Sequence, residues 1–308
     1  MNLLLYTHGG KGSAWLDAFV RALPEAKVRT WPEAPAVDAD YAAVWKPPVE
    51  LLGSLARVKA VFNLGAGVDG IAELPALRTE VPLIRLEDAG MAQQMVEYVS
   101  HAVLHRYREF DAYAEQQRAG VWKPRRRVAK SSFGVGILGL GALGSAVAAS
   151  LALFGFPLHG WSRSTKAIPG LSSHSGETGL VTVLRAAQVL VCLLALTRET
   201  RRLLDRARLS QLPRGAYVVN VSRGEILVDE DLLALLDEGH LSGAMLDVFR
   251  DEPLPPRHAF WHHPKVTITP HVSAATLIDE SVAQVAQKIR CLEAGLPISG
   301  VVVRGRGY

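Results

Sequence analysis

Four residues in the last third of the chain have types that could combine anion binding with proton transfer. Arg223 lies in "VVNVSRGEILVDEDLL", Asp247 and Glu252 in "LDVFRDEPLPP", and His271 in "VTITPHVSAAT". An arginine presents a planar, permanently charged fork that binds a carboxylate and polarises a carbonyl beside it. A histidine donates a proton, and a nearby carboxylate favours its charged form. Arg223, Glu252 and His271 are therefore the candidate catalytic residues.

All of them follow apolar runs of strand length. The runs "GVGILG", "PLHGWS", "VLVCLLA", "AYVVNV", "GAMLDV" and "KVTITPH" have helical patterns between them. They predict a doubly wound parallel sheet of six strands, in which ligands sit beyond the carboxyl ends. An earlier series, "NLLLYT", "KVRTW", "YAAVW", "AVFNLG" and "PLIRL", predicts a first group of strands. Residues 91–119 contain neither glycine nor proline and predict one long helix between the two series. Residues 277–294 predict a last helix that returns to the first half. The expected organisation is two α/β domains, the second inserted into the first.

The second series opens with Gly139-Leu-Gly141-Ala-Leu-Gly144, a G-x-G-x-x-G turn between strand and helix patterns. That context binds a dinucleotide. The first glycine permits a tight turn, the second a close pyrophosphate, the third close packing of the helix. The helix N-terminus then meets the phosphates. The next strand ends at Ser162, where an acidic residue would hold the ribose hydroxyls and repel a 2′-phosphate. Ser162 removes that repulsion. Arg163, Ser164, Thr165 and Lys166 supply donors and positive charge, so the stretch "HGWSRSTK" selects NADPH over NADH.

With these residues in place, the ordered set "NLGAGVDG", "GLGALG", "NVSRGEILVDEDLL", "LDVFRDEPLP" and "TPHVSA" resembles the NAD(P)-dependent D-isomer-specific 2-hydroxyacid dehydrogenases, over essentially the whole chain. "VWKPPVELL", "RLEDAGMAQQMVEYV", "FGFPLHGWSRS" and the closing "RGY" are similar to that family's glyoxylate/hydroxypyruvate reductases. The resemblance implies two Rossmann-like domains. A flavodoxin-like substrate domain would take residues 1–97 and 279–308, and an inserted NADP-binding domain residues 98–278. It implies NADPH-dependent reduction of glyoxylate to glycolate and of hydroxypyruvate to D-glycerate. It implies that Arg223 orients substrate, that His271 is the acid/base and that Glu252 is its partner. Cofactor contacts would come from Gly139, Gly141, Ala142, Leu143, Gly144, Ser162, Arg163, Ser164, Leu194, Ala195, Val221, Ser222, Asp247 and His271, with Asp247 facing the nicotinamide. Substrate contacts would come from Trp45, Leu64, Gly65, Ala66, Gly67, Met91 and Arg223. The implied assembly is a homodimer through the cofactor domain. One departure is visible: Ala195 stands where the family often has proline. Another member's specificity (phosphoglycerate, erythronate or lactate) stays open, as does a nucleotide-sensing corepressor or scaffold on the same fold. Formate dehydrogenase chemistry ranks lower, because that enzyme has glutamine at the position of Glu252.

The other motifs read as structure. "THGGKGSAW", with His8 and Lys11, lacks the ending of a phosphate loop. His101 and His105 share a helical face but lack the glutamate of a zinc-protease motif, so no metal is expected. His262 and His263 precede a proline and are expected at the surface; Asp229 and Asp231 are expected to start a helix. The basic run "KPRRRVAK" reads as a solvated connector. Lys and Arg exceed Asp and Glu by only 34 to 30, which argues against a nucleic-acid partner. Two distant cysteines make no disulfide framework and fit a reducing, cytoplasmic setting. No apolar run approaches the length of a membrane span, and the first residues lack a secretion signal.

Overall fold

The computed structural model describes residues 1–9, 12–72, 74–303 and 306. It divides into two compact units, Met1–Met91 with Thr276–Tyr308, and Ala92–Ala275. Lys11 of the "THGGKG" stretch and Gly307–Tyr308 of the closing "RGY" lie outside the described residues.

The first unit holds a five-stranded parallel sheet: β1 Asn2–Thr7, β2 Lys27–Thr30, β3 Tyr41–Trp45, β4 Ala60–Asn63 and β5 Leu83–Arg85, in the order β2-β1-β3-β4-β5. Helices α1 Gly12–Ala22, α2 Val49–Ser54 and α3 Asp69–Ala72 connect them. Strand β4 is buried at every position. That is what a parallel strand covered on both faces requires, and why it reads as an unbroken apolar run.

The second unit begins on α4 Met91–Tyr107 and α5 Phe110–Arg118. The single helix expected over 91–119 is interrupted here. Glu109 adopts a left-handed φ of +53°, and its carboxylate accepts a hydrogen bond from Arg125 at 2.7 Å. Nothing in α5 is buried, so no packing draws it into line with α4.

The sheet of this unit comprises β6 Val135–Leu138, β7 Leu158–Trp161, β8 Leu171–His174, β9 Val189–Cys192, β10 Ala216–Asn220, β11 Leu241–Leu246 and β12 Val266–Ile268. All pairings are parallel, in the order β12-β11-β10-β9-β6-β7-β8. Helices α6 Ala142–Leu153, α7 Gly176–Ala186, α8 Arg206–Leu209 and α9 Asp229–Asp237 connect the strands. The sequence predicts six strands and the structure has seven. The extra one, β8, reads LSSH and sits at an edge, where no apolar run is needed. Alternation along the strands builds a core on each face. Leu138, Leu190 and Val218 belong to one; Ile137, Val191 and Val219 belong to the other. Each such side chain contributes about 1.5–3 kcal/mol by leaving water. The last α-helix among the described residues, α10 Ile278–Glu293, packs on α1 in the first unit.

Candidate active site

Strand order brings the three candidate catalytic residues to one edge. β10, β11 and β12 are neighbours, and Arg223, Glu252 and His271 follow their respective carboxyl ends. His271 Nδ1 lies 2.7 Å from Glu252 Oε2. An ionised carboxylate can only accept, so Nδ1 carries the proton and Nε2 is left for chemistry. The other oxygen, Oε1, accepts the Phe249 N–H at 3.0 Å, which fixes the carboxylate. His271 and Glu252 are both partly exposed, as groups that meet a ligand must be.

Arg223 is shaped by a buried neighbour. Asn220 Nδ2 donates to the Arg223 carbonyl at 3.0 Å, while Asn220 Oδ1 accepts the Ser222 N–H at 3.2 Å and the Ser222 hydroxyl at 2.8 Å. Cys192, whose thiol burial pushes up, lies 3.2 Å from the same hydroxyl. The Arg223 guanidinium donates to the Ser222 carbonyl at 2.8 Å. Gly224 then meets the segment that bears Glu252: a Cβ there would lie 2.0 Å from the Phe249 carbonyl carbon. The arginine turn and the glutamate turn are therefore in backbone contact, which only glycine allows.

Asp247 is fully buried. Its Oδ1 accepts from the Thr269 hydroxyl at 2.6 Å and the Val272 N–H at 2.8 Å; its Oδ2 accepts from the Ser273 N–H at 2.8 Å. Its carbonyl accepts the His271 N–H at 2.9 Å, and its own N–H donates to the Asn220 carbonyl at 3.0 Å. The carboxylate that the resemblance aims at the nicotinamide thus makes three hydrogen bonds to the turn carrying His271.

The glycine turn follows β6, at the point where strand order reverses between β6 and β9. Gly139 has φ +99° and packs against Leu193, just past β9. A Cβ on Gly144 would meet the Gly139 carbonyl oxygen at 1.9 Å, whereas one on Gly141 would enter open space. Helix α6 starts beside that space with no side-chain cap and no acid in its first turn. Free N–H groups of Ala142, Leu143 and Gly144 at a bare helix start, with room in front, fit a pyrophosphate. Leu194 and Ala195 follow β9 and Val221 follows β10, at this same sheet edge. The Ala195 carbonyl accepts from Thr200 at 2.7 Å, which folds back the loop that lacks the usual proline. Ser162 donates through its N–H to the His174 carbonyl at 3.2 Å and through its hydroxyl to the Ser164 carbonyl at 2.7 Å. Arg163 and Ser164 are exposed, and residues 162–166 include no acid.

In the first unit, Asn63 Nδ2 donates to the carbonyls of Gly65 and Gly67, both at 2.9 Å. Among the described residues no acceptor meets the N–H groups of Gly65, Ala66 or Gly67, so this loop can receive an anion. Leu64 is buried, and its N–H donates to Val44 at 2.8 Å. The Trp45 ring covers Gly65, where a Cβ would be 2.3 Å from Trp45 Cζ3. Met91 is buried at the start of α4.

Asn63, Asn220, Gly224 and Thr269 were not singled out by sequence reasoning. Their signal was present, since each lies inside a quoted motif one to three residues from a named one. The His101 and His105 rings lie 5.6 Å apart, tilted at 46°, and the described residues contain no group of three metal-ligating side chains. His262 is exposed, but His263 is not a plain surface residue: its Nε2 lies 3.2 Å from Asp237, where the proline-bordered turn packs on α9. Asp229 begins α9 and lies 3.5 Å from His258; burial raises its pKa. No helix among the described residues is long and apolar enough to cross a membrane.

Comparison with known proteins agrees with the fold described above. Residues 100–273 match the D-isomer specific 2-hydroxyacid dehydrogenase, NAD binding domain. The chain is 45% identical over 313 aligned residues to glyoxylate/hydroxypyruvate reductase A of Salmonella typhi, covering 100% of both. Its structure resembles a D-isomer specific 2-hydroxyacid dehydrogenase of Xanthobacter autotrophicus Py2 in complex with NADPH and MES, with a TM-score of 0.94 and 37% identity over 100% of this chain and 99% of that one. It also resembles the NADPH-dependent glyoxylate/hydroxypyruvate reductase of Sinorhizobium meliloti in complex with NADP and sulfate, with a TM-score of 0.93 and 34% identity over 100% and 99%.

Proposed function

The chain belongs to the D-isomer specific 2-hydroxyacid dehydrogenase family, and on that premise we propose that it reduces small 2-oxo acids with NADPH, glyoxylate to glycolate and hydroxypyruvate to D-glycerate. It is an oxidoreductase with an NAD(P)-binding domain. The observation that carries the reading is the 2.7 Å pair of His271 and Glu252, beyond adjacent strands and next to the strand that ends towards Arg223.

When bound, the nicotinamide supplies hydride to the substrate carbonyl carbon. Arg223 binds the substrate carboxylate and stabilises the alkoxide as it forms. His271, charged and held by Glu252, gives its Nε2 proton to that oxygen. The free N–H groups of Gly65, Ala66 and Gly67, in the loop that Leu64 begins, are assigned to the substrate carboxylate. Trp45 and Met91 are assigned to the substrate side chain. Gly139, Gly141, Ala142, Leu143 and Gly144 would hold the pyrophosphate. Leu194, Ala195, Val221 and Ser222 would flank the nicotinamide half, together with Asp247 and His271. The unit built on the seven-stranded sheet is the cofactor unit, and the other is the substrate unit.

Preference for NADPH rests on the 162–166 turn. It has no acid, and it presents Arg163 and Ser164 at the surface. The reading includes a homodimer through the cofactor unit. Helix α5 buries none of its own residues, and Trp122 is fully exposed, so a partner surface is what these groups lack. It includes no nucleic-acid partner, since Arg125 of the basic run is engaged by Glu109. Cys192 and Cys291 are free thiols, which fits the cytoplasm. NADPH oxidation with glyoxylate, hydroxypyruvate and pyruvate, repeated with NADH, tests the whole reading. Turnover of the first two with NADPH is expected; absence of turnover with every 2-oxo acid contradicts it.

A further inference from the structure

His271 has φ +55°, a left-handed backbone that a side chain other than glycine rarely adopts. Such a conformation is strained and persists where its surroundings over-determine it. Two clamps from one face of α4 meet here.

The first clamp runs through Thr269. Its hydroxyl has one proton, and Asp247 can only accept, so Thr269 donates to Asp247 at 2.6 Å. The Tyr98 hydroxyl, 2.6 Å from Thr269 Oγ1, must then be the donor into Thr269. Burial, with the charge of Asp247, pushes the Tyr98 phenol up to about 12, so it stays a donor at working pH. The second clamp is Gln94, one turn earlier on the same face of α4. Its Nε2 donates to the Ala275 carbonyl at 3.0 Å, and its Oε1 accepts the Ala275 N–H at 3.1 Å. Helix α4 therefore grips the His271 turn at residue 269 and at residue 275. Between these points the buried Asp247 takes the N–H groups of Val272 and Ser273.

We propose that Tyr98, Thr269 and Gln94 are positioning residues for His271, acting through Asp247 and Ala275 to hold the imidazole on Glu252 and aim Nε2 at the substrate. None of the three touches the reacting atoms. The inference rests on the reading of His271 as proton donor. Its physical content is that a connected polar chain anchored on the buried Asp247 stiffens a turn more than isolated contacts would. Misplacing a catalytic group by about 1 Å costs on the order of 100-fold in rate.

The test uses the full-length enzyme and the variants Tyr98→Phe, Thr269→Val and Thr269→Ser. Parent turnover of hydroxypyruvate with NADPH is measured first. Tyr98→Phe and Thr269→Val are expected to lower kcat about 10- to 100-fold, with the KM for NADPH within about twofold of the parent. The pH profile of kcat/KM departs from the parent's, because the imidazole is no longer held in one place on its carboxylate. Thr269→Ser, which keeps the hydroxyl, retains the parent profile. Folded Tyr98→Phe and Thr269→Val with the parent's kcat and pH profile overturn the proposal. If Thr269→Val does not fold, Tyr98→Phe decides. If the parent turns over no 2-oxo acid, the functional reading has failed. The NMR titration of the His271 ring in the parent and in Tyr98→Phe then decides the clamp: a shifted curve supports it, and coincident curves overturn it.

Discussion

His271 Nδ1 donates to Glu252 Oε2 at 2.7 Å, while Glu252 Oε1 is held by the Phe249 N–H at 3.0 Å. The carboxylate is thus fixed by its own loop before it meets the imidazole. A group anchored in this way sets the tautomer and the orientation of its partner ring.

Glu252→Gln keeps the shape but removes the charge. Turnover of hydroxypyruvate is expected to fall at least about tenfold. Steady-state kinetics of both proteins check this, and an unchanged kcat contradicts it.

Gly224→Ala places a methyl group 2.0 Å from the Phe249 carbonyl carbon. The two turns must separate, at a cost of about 1–3 kcal/mol or more. Thermal unfolding should show a lower Tm, and kcat should fall with it because Arg223 moves relative to Glu252. A parent-like Tm would mean that the backbone contact is not there.

Ser162→Asp combined with Arg163→Ala puts the acid back and takes the cation away. Hydrogen bonds to charged groups contribute about 1.5–3 kcal/mol. The ratio of kcat/KM for NADPH to that for NADH should therefore drop roughly 10- to 100-fold. An unchanged ratio in the double variant would locate cofactor choice elsewhere.

Glu87 links acid stability to the first unit. Burial pushes its pKa up, but hydrogen bonds from Ser299 at 2.5 Å and Lys288 at 3.1 Å outweigh burial, and the net shift is downward. A depressed carboxylate stabilises the fold above its unfolded pKa, about 4.3, and loses that contribution as pH falls through its own lower value. Glu87→Gln should lower Tm by a few degrees at pH 7, and the gap should narrow in acid, as pH falls below the ordinary carboxylate range. Equal gaps at pH 7 and in acid would refute the linkage.

The strands most easily read in the sequence were those buried on both faces, such as VLVC of β9, because burial forces every position to be apolar. Edge strand β8, with two serines and a histidine, sends no such signal. The break at Glu109 was also silent, since a left-handed glutamate is set by tertiary contacts and not by local propensity. In the site, charged residues were legible because their chemistry is rare and their spacing is constrained. Thr269 and Tyr98 were not, because their work is done through hydrogen bonds to residues that only folding brings near; Asn63 and Asn220 bond within their own turns, beside named residues, but uncharged amides in turns are common and drew no notice.

The central claim is that His271 protonates a 2-oxo acid reduced by NADPH, and it is tested most directly by steady-state NADPH oxidation with hydroxypyruvate in the parent and in His271→Ala. The account predicts clear turnover in the parent and a kcat about 10²- to 10⁴-fold lower in the variant. Comparable kcat in the two proteins, or no turnover in the parent, would contradict it.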